Sequence, residues 1–235
     1  MDEARLRENL AQVEAQIEQA RMRSGRRETV TIVAVTKGHP PDVVKAAQAV
    51  GLSRCGENRV DELDEKVAAV GREAVEWHLV GHLQRNKVRR ALALFDLIHS
   101  IDSERLAAEL AHEAQRSGTT VRGLIQVNVS GEETKGGFDA RESFEPVMEQ
   151  IRRVVALPAL EVLGLMTMAP FDAEESTLRR IFRRSRELYD ECGRAVTGFQ
   201  ARHLSMGMSG DYEVAVEEGS TMVRLGTILF GERHQ

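Results

Sequence analysis

Hydrophobic positions along the chain follow two spacings, one typical of helices and the other typical of strands. Near the N-terminus they recur every three or four residues and predict an amphipathic helix that ends at Gly25. The β-branched run at residues 30–35 then predicts the first strand. The helical positions are Leu6, Leu10, Val13 and Ile17, and further strands are predicted at residues 53–56, 77–81, 97–101, 122–129, 160–165, 202–204 and 222–225.

Helical stretches separate these predicted strands. Examples are residues 41–50, 103–115 and 174–194, each beginning near a proline, serine or acidic residue that favours a helix start. Strands and helices in regular alternation indicate parallel strands joined by right-handed crossovers, and eight such units close a barrel. We therefore predict an α/β protein, a single (β/α)8 TIM barrel over residues 1–235 with an extra N-terminal helix. The apolar stripe of that helix suits covering the barrel bottom, joining the outer ring or contacting a neighbouring molecule.

Composition and charge then narrow the class of protein. The 235 residues are 42% hydrophobic and 29% charged, as in an ordinary globular protein. The formal net charge of −5 argues against a surface that holds nucleic acid. Charges interrupt the N-terminus and no apolar run could span a membrane, so the predicted location is the cytoplasm. Cys55 and Cys192 lack the spacing of a disulfide framework or a zinc site.

Lys37 is the first candidate functional residue. It ends the first predicted strand and is followed by Gly38, His39 and two prolines, which stop the strand before the next helix. In a (β/α)8 barrel, the carboxyl ends of the strands surround the active-site mouth. A lysine there is either a Schiff-base amine, which must be neutral to attack an aldehyde, or an ordinary solvated side chain.

Two glycine-containing segments indicate a phosphate site. Residues 205–211 follow the seventh predicted strand and contain two serines and two glycines before a helix expected near Asp211. Gly226 and Thr227 follow the eighth predicted strand. Glycine lets N–H groups approach an anion, and barrels often bind phosphate between the loops after strands seven and eight. A capped helix start with flexible glycines is the alternative interpretation.

Six sequence blocks, in order along nearly the whole chain, resemble the YggS-like pyridoxal phosphate homeostasis protein family. They are VAVTK at 33–37, GENRV at 56–60, WHLVGHLQRNK at 77–87, GLMTM at 164–168, LSMGMS at 204–209 and VRLGT at 223–227. The resemblance implies an alanine-racemase-like barrel without the racemase's second domain, and pyridoxal 5'-phosphate (PLP) as the cofactor. It implies that Lys37 carries PLP as a Schiff base, that Asn58 lies near the cofactor ring and that Arg224 faces the pyridine nitrogen. Phosphate contacts are implied for Ser205, Ser209, Gly226 and Thr227.

An arginine opposite the pyridine nitrogen would make bound PLP less able to withdraw electrons from a substrate. Arginine stays protonated and donates a hydrogen bond, which disfavours protonation of the ring and weakens its electron sink. A racemase further needs a second acid or base, and the only phenols belong to Tyr189 and Tyr212, neither of them well placed. We therefore predict buffering, storage or delivery of PLP to PLP-dependent apoenzymes, with no catalytic residue. The alternatives are a PLP-dependent amino-acid racemase-like enzyme and a Schiff-base aldolase.

Several other polar residues have more than one interpretation. His78 belongs either to the surroundings of the cofactor or to the barrel interior. It is four residues from His82 across a strand end, which does not favour a shared metal, and no metal is predicted. Lys135 is a surface lysine or a transient second cofactor site, and the basic run at 179–186 is interpreted as a solvated face. We expect a monomer, with a weak dimer left open.

Overall fold

Parallel strands form a closed ring in the computed structural model, which describes residues 2–132 and 136–232. The strands within these residues are β1 (Thr31–Val35), β2 (Arg54–Glu57), β3 (Glu76–Leu79), β4 (Leu97–Ile101), β5 (Val121–Asn128), β6 (Phe138–Asp139), β7 (Leu160–Met166), β8 (His203–Ser205) and β9 (Met222–Leu225). The ring runs β1, β2, β3, β4, β5, β7, β8 and β9, and then returns to β1. The predicted barrel of eight strands is therefore confirmed. Lys135 lies outside the described residues.

Helices alternate with the strands and surround the ring. They are α1 (Glu3–Ser24), α2 (Asp42–Ala49), α3 (Val60–Val70), α4 (Val88–Leu94), α5 (Glu104–Ser117), α6 (Phe144–Val155), α7 (Glu175–Ala195), α8 (Tyr212–Glu217) and α9 (Thr227–Phe230). One predicted start signal acts as a side-chain cap: Ser103 accepts a hydrogen bond from Leu106 N at the start of α5. Among the described helices, none is long and apolar enough to cross a membrane.

Among the strands of the described residues, β6 is the one that the hydrophobic pattern did not predict. It has two residues and pairs in parallel with Val127 and Asn128 at the end of β5. This pairing belongs to a separate sheet, so β6 lies outside the ring of eight. Two residues are too few to show the alternation of a strand, which explains why the sequence contains no signal for it.

The N-terminal helix α1 joins the outer ring of helices. It packs against α2, α8 and α9 through the predicted apolar stripe, and Gly25 ends it in the left-handed conformation with φ 69°. Asn9 Nδ2 also donates to the carbonyl of Leu229 in α9 at 2.9 Å. Because α9 has only four residues, it cannot cover the junction of β9 and β1 by itself. Helix α1 fills the position of a full eighth helix, the second of the three arrangements considered above.

The interior of the barrel has an apolar part and a polar part. The apolar part is a cluster separate from the larger core between strands and helices, and it consists of Val33, Leu97, Leu124, Leu163, Met166 and Met222. The polar part contains four buried side chains from β3, β4, β8 and β9: His78, His99, Ser205 and Arg224. Buried polar groups are stable only when they are hydrogen-bonded, so these four require mutual partners.

Candidate functional site

A large cavity opens among the loops that follow the strands of the barrel. Its volume is about 860 Å³, within the range of about 300–1,000 Å³ that is usual for small-molecule sites. Loops after β1, β2, β3, β4, β7, β8 and β9 contribute to its wall. The cavity therefore lies at the mouth where a (β/α)8 barrel carries its chemistry.

Most of the site residues predicted from the sequence lie on this wall. Those that line the cavity are Lys37, Asn58, Ser209, Arg224, Gly226 and Thr227. Ser205 does not line it and is completely buried. The fold thus brings together a primary amine, a guanidinium and a group of hydroxyl and N–H donors from distant parts of the chain.

The backbone on both sides of Lys37 is held by helix α3. Lys66 Nζ donates to the carbonyl oxygen of Thr36 at 2.6 Å, and Gly38 N donates to Glu62 Oε1 at 3.0 Å. Lys37 itself is half-buried on the cavity wall. Because its two neighbours are anchored to one helix, the turn that carries Lys37 has a defined position relative to the barrel.

A buried ion pair lies beneath this turn. The carboxylate of Glu57, at the end of β2, accepts hydrogen bonds from Lys66 Nζ and from the Thr36 hydroxyl. Glu57 is 0% exposed and Lys66 is 3% exposed. Burial raises the pKa of Glu57, while the charge of Lys66 opposes that rise. Sequence reasoning missed this pair, because a lysine within an outer helix looks like an ordinary solvated side chain.

Asn58 is positioned by a glycine on the next strand-end loop. A Cβ atom added to Gly81 would lie 2.3 Å from the backbone oxygen of Asn58 and 2.7 Å from its Cα. Backbone atoms cannot move away as a flexible side chain could, so this position requires glycine. The glycine lies within the WHLVGH block, but only the fold shows that its neighbour is Asn58.

Ser209 and the start of α9 contact each other beside β9, the strand that pairs with β1. Ser209 Oγ accepts from the backbone N–H groups of Gly226 at 3.4 Å and Ile228 at 3.3 Å. A Cβ atom on Gly226 would come within 3.0 Å of the Val35 carbonyl oxygen, so its small size permits close approach to β1. Because the Ser209 oxygen accepts these two bonds, its own hydrogen can be donated to an anion such as phosphate.

Arg224 is buried between β7 and β8 with its charge intact. Its Nη1 donates to Ser205 O at 2.9 Å and to Ser205 Oγ at 2.7 Å, and its Nη2 donates to Thr167 O at 2.9 Å. Burial lowers the pKa of Arg224 to about 10, with Asp211 acting against the shift. The guanidinium therefore stays protonated at neutral pH. Ser205 lies behind Arg224, where it also contacts His99 rather than the cavity.

The two histidines of the WHLVGH block point to different partners. His78 is buried inside the barrel, and its Nδ1 lies 2.9 Å from Nε2 of His99. His82 is exposed on the cavity wall, where its Nδ1 lies 2.8 Å from Oδ2 of Asp102. His78 is therefore a hydrogen-bonded residue of the barrel interior. The His82–Asp102 pair was not predicted, since its members come from the ends of different strands.

Comparison with known proteins gives consistent matches over nearly the whole chain. Residues 8–234 match the family described as alanine racemase, N-terminal domain. A protein of Aquifex aeolicus named pyridoxal phosphate homeostasis protein is 43% identical over 96% of this chain and 97% of its own length. The protein of the same name from Escherichia coli K12 is 37% identical over 96% of this chain and 95% of its own length.

Solved structures give the same picture of the fold. PipY of Synechococcus elongatus PCC7942, solved with PLP bound, is 32% identical and has a TM-score of 0.83 over 96% of this chain and 100% of PipY. An alanine racemase of Clostridium difficile 630 is 16% identical, with a TM-score of 0.76 over 99% of this chain and 60% of the racemase. The racemase is therefore similar in fold alone, and this chain spans little more than half of its length.

Proposed function

Since the chain belongs to the family of pyridoxal phosphate homeostasis proteins, we propose that it binds PLP on Lys37 and buffers, stores or delivers this cofactor with little turnover. One observation carries the proposal. A lysine amine, a buried arginine and a group of phosphate-type donors line the same cavity at the barrel mouth. The PLP-bound structure of PipY, which is 32% identical, supports the choice of cofactor.

The donor set of the cavity fits the chemical groups of PLP. The aldehyde requires a primary amine, which is Lys37, and the pyridine nitrogen requires a donor, which is Arg224. The phosphate requires hydrogen-bond donors, and Ser209, whose oxygen accepts from two backbone N–H groups at the start of α9, has its hydroxyl hydrogen to donate. Asn58 also lines the cavity, and we assign it to the part of the wall that would face the pyridine ring of PLP. Thr227 lies beside Gly226 and adds a hydroxyl.

Attachment to Lys37 is a condensation. Lys37 would supply the neutral amine that joins the aldehyde carbon through a C=N bond, with water as the other product. When bound, PLP would supply a conjugated ring that can withdraw electrons from atoms attached to this nitrogen. The contacts of Thr36 and Gly38 hold the turn of Lys37, and those of Ser205 and Thr167 hold the guanidinium of Arg224.

The charge of Arg224 supports a carrier over an efficient enzyme. Its pKa of about 10 keeps it a cation at neutral pH, so it can only donate to the ring nitrogen. A pyridine ring whose nitrogen only accepts a hydrogen bond withdraws electrons less strongly than a ring whose nitrogen is protonated. Neither phenol assists: Tyr212 donates to Gln16 at 2.6 Å, Tyr189 packs edge-on against Phe199, and neither lines the cavity.

A racemase-like activity is the second candidate function. The observation in its favour is the His82–Asp102 pair, which supplies an acid/base group on the wall of the same cavity. Incubation of PLP-loaded protein with amino acids and chiral analysis of the products tests it. Racemisation at about 1 per second or faster, lost in His82→Ala, would replace the carrier proposal with an enzyme.

Borohydride trapping tests the attachment of PLP. Wild-type protein mixed with PLP is expected to absorb in the near-visible range, to lose that absorbance on reduction, and to yield a modified peptide that contains Lys37. Lys37→Ala is expected to yield none. Lys45→Ala is the matched control, because Lys45 is an exposed lysine of the following helix. Equal covalent labelling of wild type and Lys37→Ala would contradict the assignment.

A transfer assay tests the homeostasis role. PLP-loaded protein is added to a PLP-dependent apoenzyme together with a scavenger of free PLP. Recovery of enzyme activity that resists the scavenger indicates direct delivery. Recovery that the scavenger abolishes indicates release into solution and hence buffering. If the protein neither restores the apoenzyme nor releases PLP, the carrier role is wrong.

A further inference from the structure

A line of hydrogen-bonding groups crosses the barrel interior from Arg224 to Glu76. Arg224 Nη1 donates to Ser205 Oγ at 2.7 Å, and Ser205 Oγ lies 3.0 Å from His99 Nδ1. His99 Nε2 lies 2.9 Å from His78 Nδ1, and His78 Nε2 lies 3.2 Å from Glu76 Oε1. We call Ser205, His99 and His78 the relay. All three are completely buried, so water does not compete for these contacts.

The direction of the relay is the direction in which its groups donate their hydrogens. The hydroxyl of Ser205 determines this direction at one end. A guanidinium can only donate, so Arg224 occupies a lone pair of Ser205 Oγ. Among the described residues, His99 Nδ1 is the other partner of this hydroxyl. A buried hydroxyl hydrogen without an acceptor is costly, so the hydroxyl donates to Nδ1. The ring hydrogen of a neutral His99 must then be on Nε2.

Glu76 sets the same direction at the other end. Glu76 Oε2 forms an ion pair with Arg54 Nε at 2.9 Å, so Glu76 is an ionised acceptor at neutral pH. The 3.2 Å contact with His78 lacks the alignment of a hydrogen bond, and His78 Nε2 has no hydrogen-bond partner elsewhere in the described chain. A carboxylate attracts this nitrogen only when the nitrogen carries a hydrogen. A neutral His78 then presents Nδ1 as the acceptor for His99.

We propose that Ser205, His99 and His78 are positioning residues that hold Arg224 as a hydrogen-bond donor toward the ring nitrogen of bound PLP. Every hydrogen of the relay points from Arg224 toward Glu76, so the guanidinium meets an oxygen that cannot donate back to it. The Thr167 carbonyl holds the guanidinium on a second side. This inference rests on the proposed PLP site. It gives Ser205 a task different from the phosphate contact implied by the sequence resemblance.

A relay of the opposite direction would place a second positive charge in the barrel interior. It requires His78 protonated on both nitrogens and the hydrogen of His99 on Nδ1. The titratable and charged groups that act on His99 are His78, Arg224 and His203, all of which are cations when protonated. Burial lowers the pKa of His99 well below its ordinary value, and these three groups lower it further. Glu76 is the only acidic partner of His78 among the described residues, and it is shared with Arg54.

Nitrogen-15 NMR of the histidine rings in ligand-free protein at pH 7 measures the direction of the relay. His78 and His99 are both expected to be neutral, with the hydrogen on Nε2 and with Nδ1 bare. Ser205→Ala is expected to shift the Nδ1 resonance of His99, because it loses its donor. A hydrogen on Nδ1 of His99, or a doubly protonated His78, would overturn the inference. Since PLP is absent, the result is independent of the PLP proposal.

Variants of His99 test whether the relay positions Arg224. His99→Gln retains one acceptor and one donor, whereas His99→Leu removes both at similar volume. In the PLP-loaded full chain, His99→Leu is expected to shift the absorbance maximum of bound PLP and to speed its release about tenfold, the effect of one lost hydrogen bond. His99→Gln is expected to stay close to wild type in both measurements.

Absorbance and release rate are compared only for variants that fold. Thermal unfolding checks each variant, and Ser205→Ala replaces His99→Leu if the latter does not fold. Wild-type spectrum and release rate in a folded His99→Leu or Ser205→Ala variant would overturn the positioning role. Borohydride trapping on Lys37 is expected in all of these variants. Its absence from wild type would refute the PLP proposal but not the direction of the relay.

Discussion

The two sides of the cavity mouth are held by different kinds of contact. Beside β1 and β2, the turn of Lys37 is bonded to the buried ion pair of Glu57 and Lys66. Beside β8 and β9, Arg224 and Ser209 are bonded to carbonyl, hydroxyl and N–H groups that carry no net charge. The lysine side therefore depends on a balance between two buried charges, whereas the other side depends on neutral partners.

This difference predicts how substitutions on each side affect the free energy of unfolding and the ligand affinity. Removal of one member of a buried ion pair leaves the other charge without compensation, which typically costs about 3–5 kcal/mol. Removal of one neutral hydrogen bond typically costs about 0.5–1.5 kcal/mol. We therefore expect substitutions near Lys37 to affect folding, and substitutions near Ser209 to affect mainly ligand affinity.

Lys66→Met is expected to have the largest effect. It leaves the Glu57 carboxylate buried without its cation, and the free energy of unfolding should fall by about 3–5 kcal/mol in urea titrations. Lys45→Met is the control, because Lys45 is 60% exposed on α2. In the double variant with Glu57→Gln, much of the loss should be recovered. A loss below about 1 kcal/mol in Lys66→Met would show that the two sides do not differ as described.

Gly81→Ala tests whether steric fit on the lysine side matters as much as charge. The added Cβ would lie 2.3 Å from the Asn58 carbonyl oxygen, so the backbone must move. A destabilisation of about 1–3 kcal/mol is expected by thermal unfolding, together with weaker PLP binding. Gly210→Ala is the matched control for thermal stability alone, since a Cβ there meets nothing within 4 Å but Gly210 lines the cavity. Equal behaviour of the two alanine variants would contradict the close contact.

Ser209→Ala tests the neutral side. Its hydroxyl contacts two backbone N–H groups at the start of α9, and a hydrogen bond to a charged phosphate contributes about 1.5–3 kcal/mol. PLP affinity should therefore fall by about tenfold or more, as measured by fluorescence titration, with little change in the free energy of unfolding. If stability fell as much as in Lys66→Met, the distinction between the two sides would be wrong.

Of the effects predicted here, the pH dependence of the free energy of unfolding is expected to be the smallest. Burial raises the pKa of Glu57 above its ordinary value of 4.5, so the folded chain binds this proton more tightly than the unfolded chain. The contribution of Glu57 to stability therefore declines as the pH rises from 4.5 through its folded pKa. Wild type should show this decline relative to Glu57→Gln in urea titrations at several pH values. Glu65→Gln, at an exposed position of α3, is the matched control.

Much of the fold was predictable because its signals are local. The β-branched run before Lys37 and the serine before α5 each act through neighbouring residues, so the sequence alone indicates a strand and a helix start. The same alternation predicts the parallel barrel and hence a mouth formed by the strand ends. Strand β6 escaped prediction because two residues show no period.

The residues that line the cavity were predicted more readily than those that support them. Lys37, Arg224 and Gly226 lie at strand ends within distinctive blocks, and all three reach the cavity wall. Ser205 belongs to the same kind of block, yet its side chain turns into the barrel toward His99. Adjacent positions in a strand point to opposite faces, and a strand of only three residues shows no pattern that reveals which face is which.

By itself, the sequence determined the order of strands and helices, the barrel, and a lysine at the mouth. Tertiary structure alone decided which polar groups meet, because partners such as His99 and Ser205 are 106 residues apart. It also decided that Lys66 is buried, although its helix belongs to the outer ring. The physical reason is that periodicity reports the environment of each face, whereas a hydrogen bond depends on the positions of two separate elements.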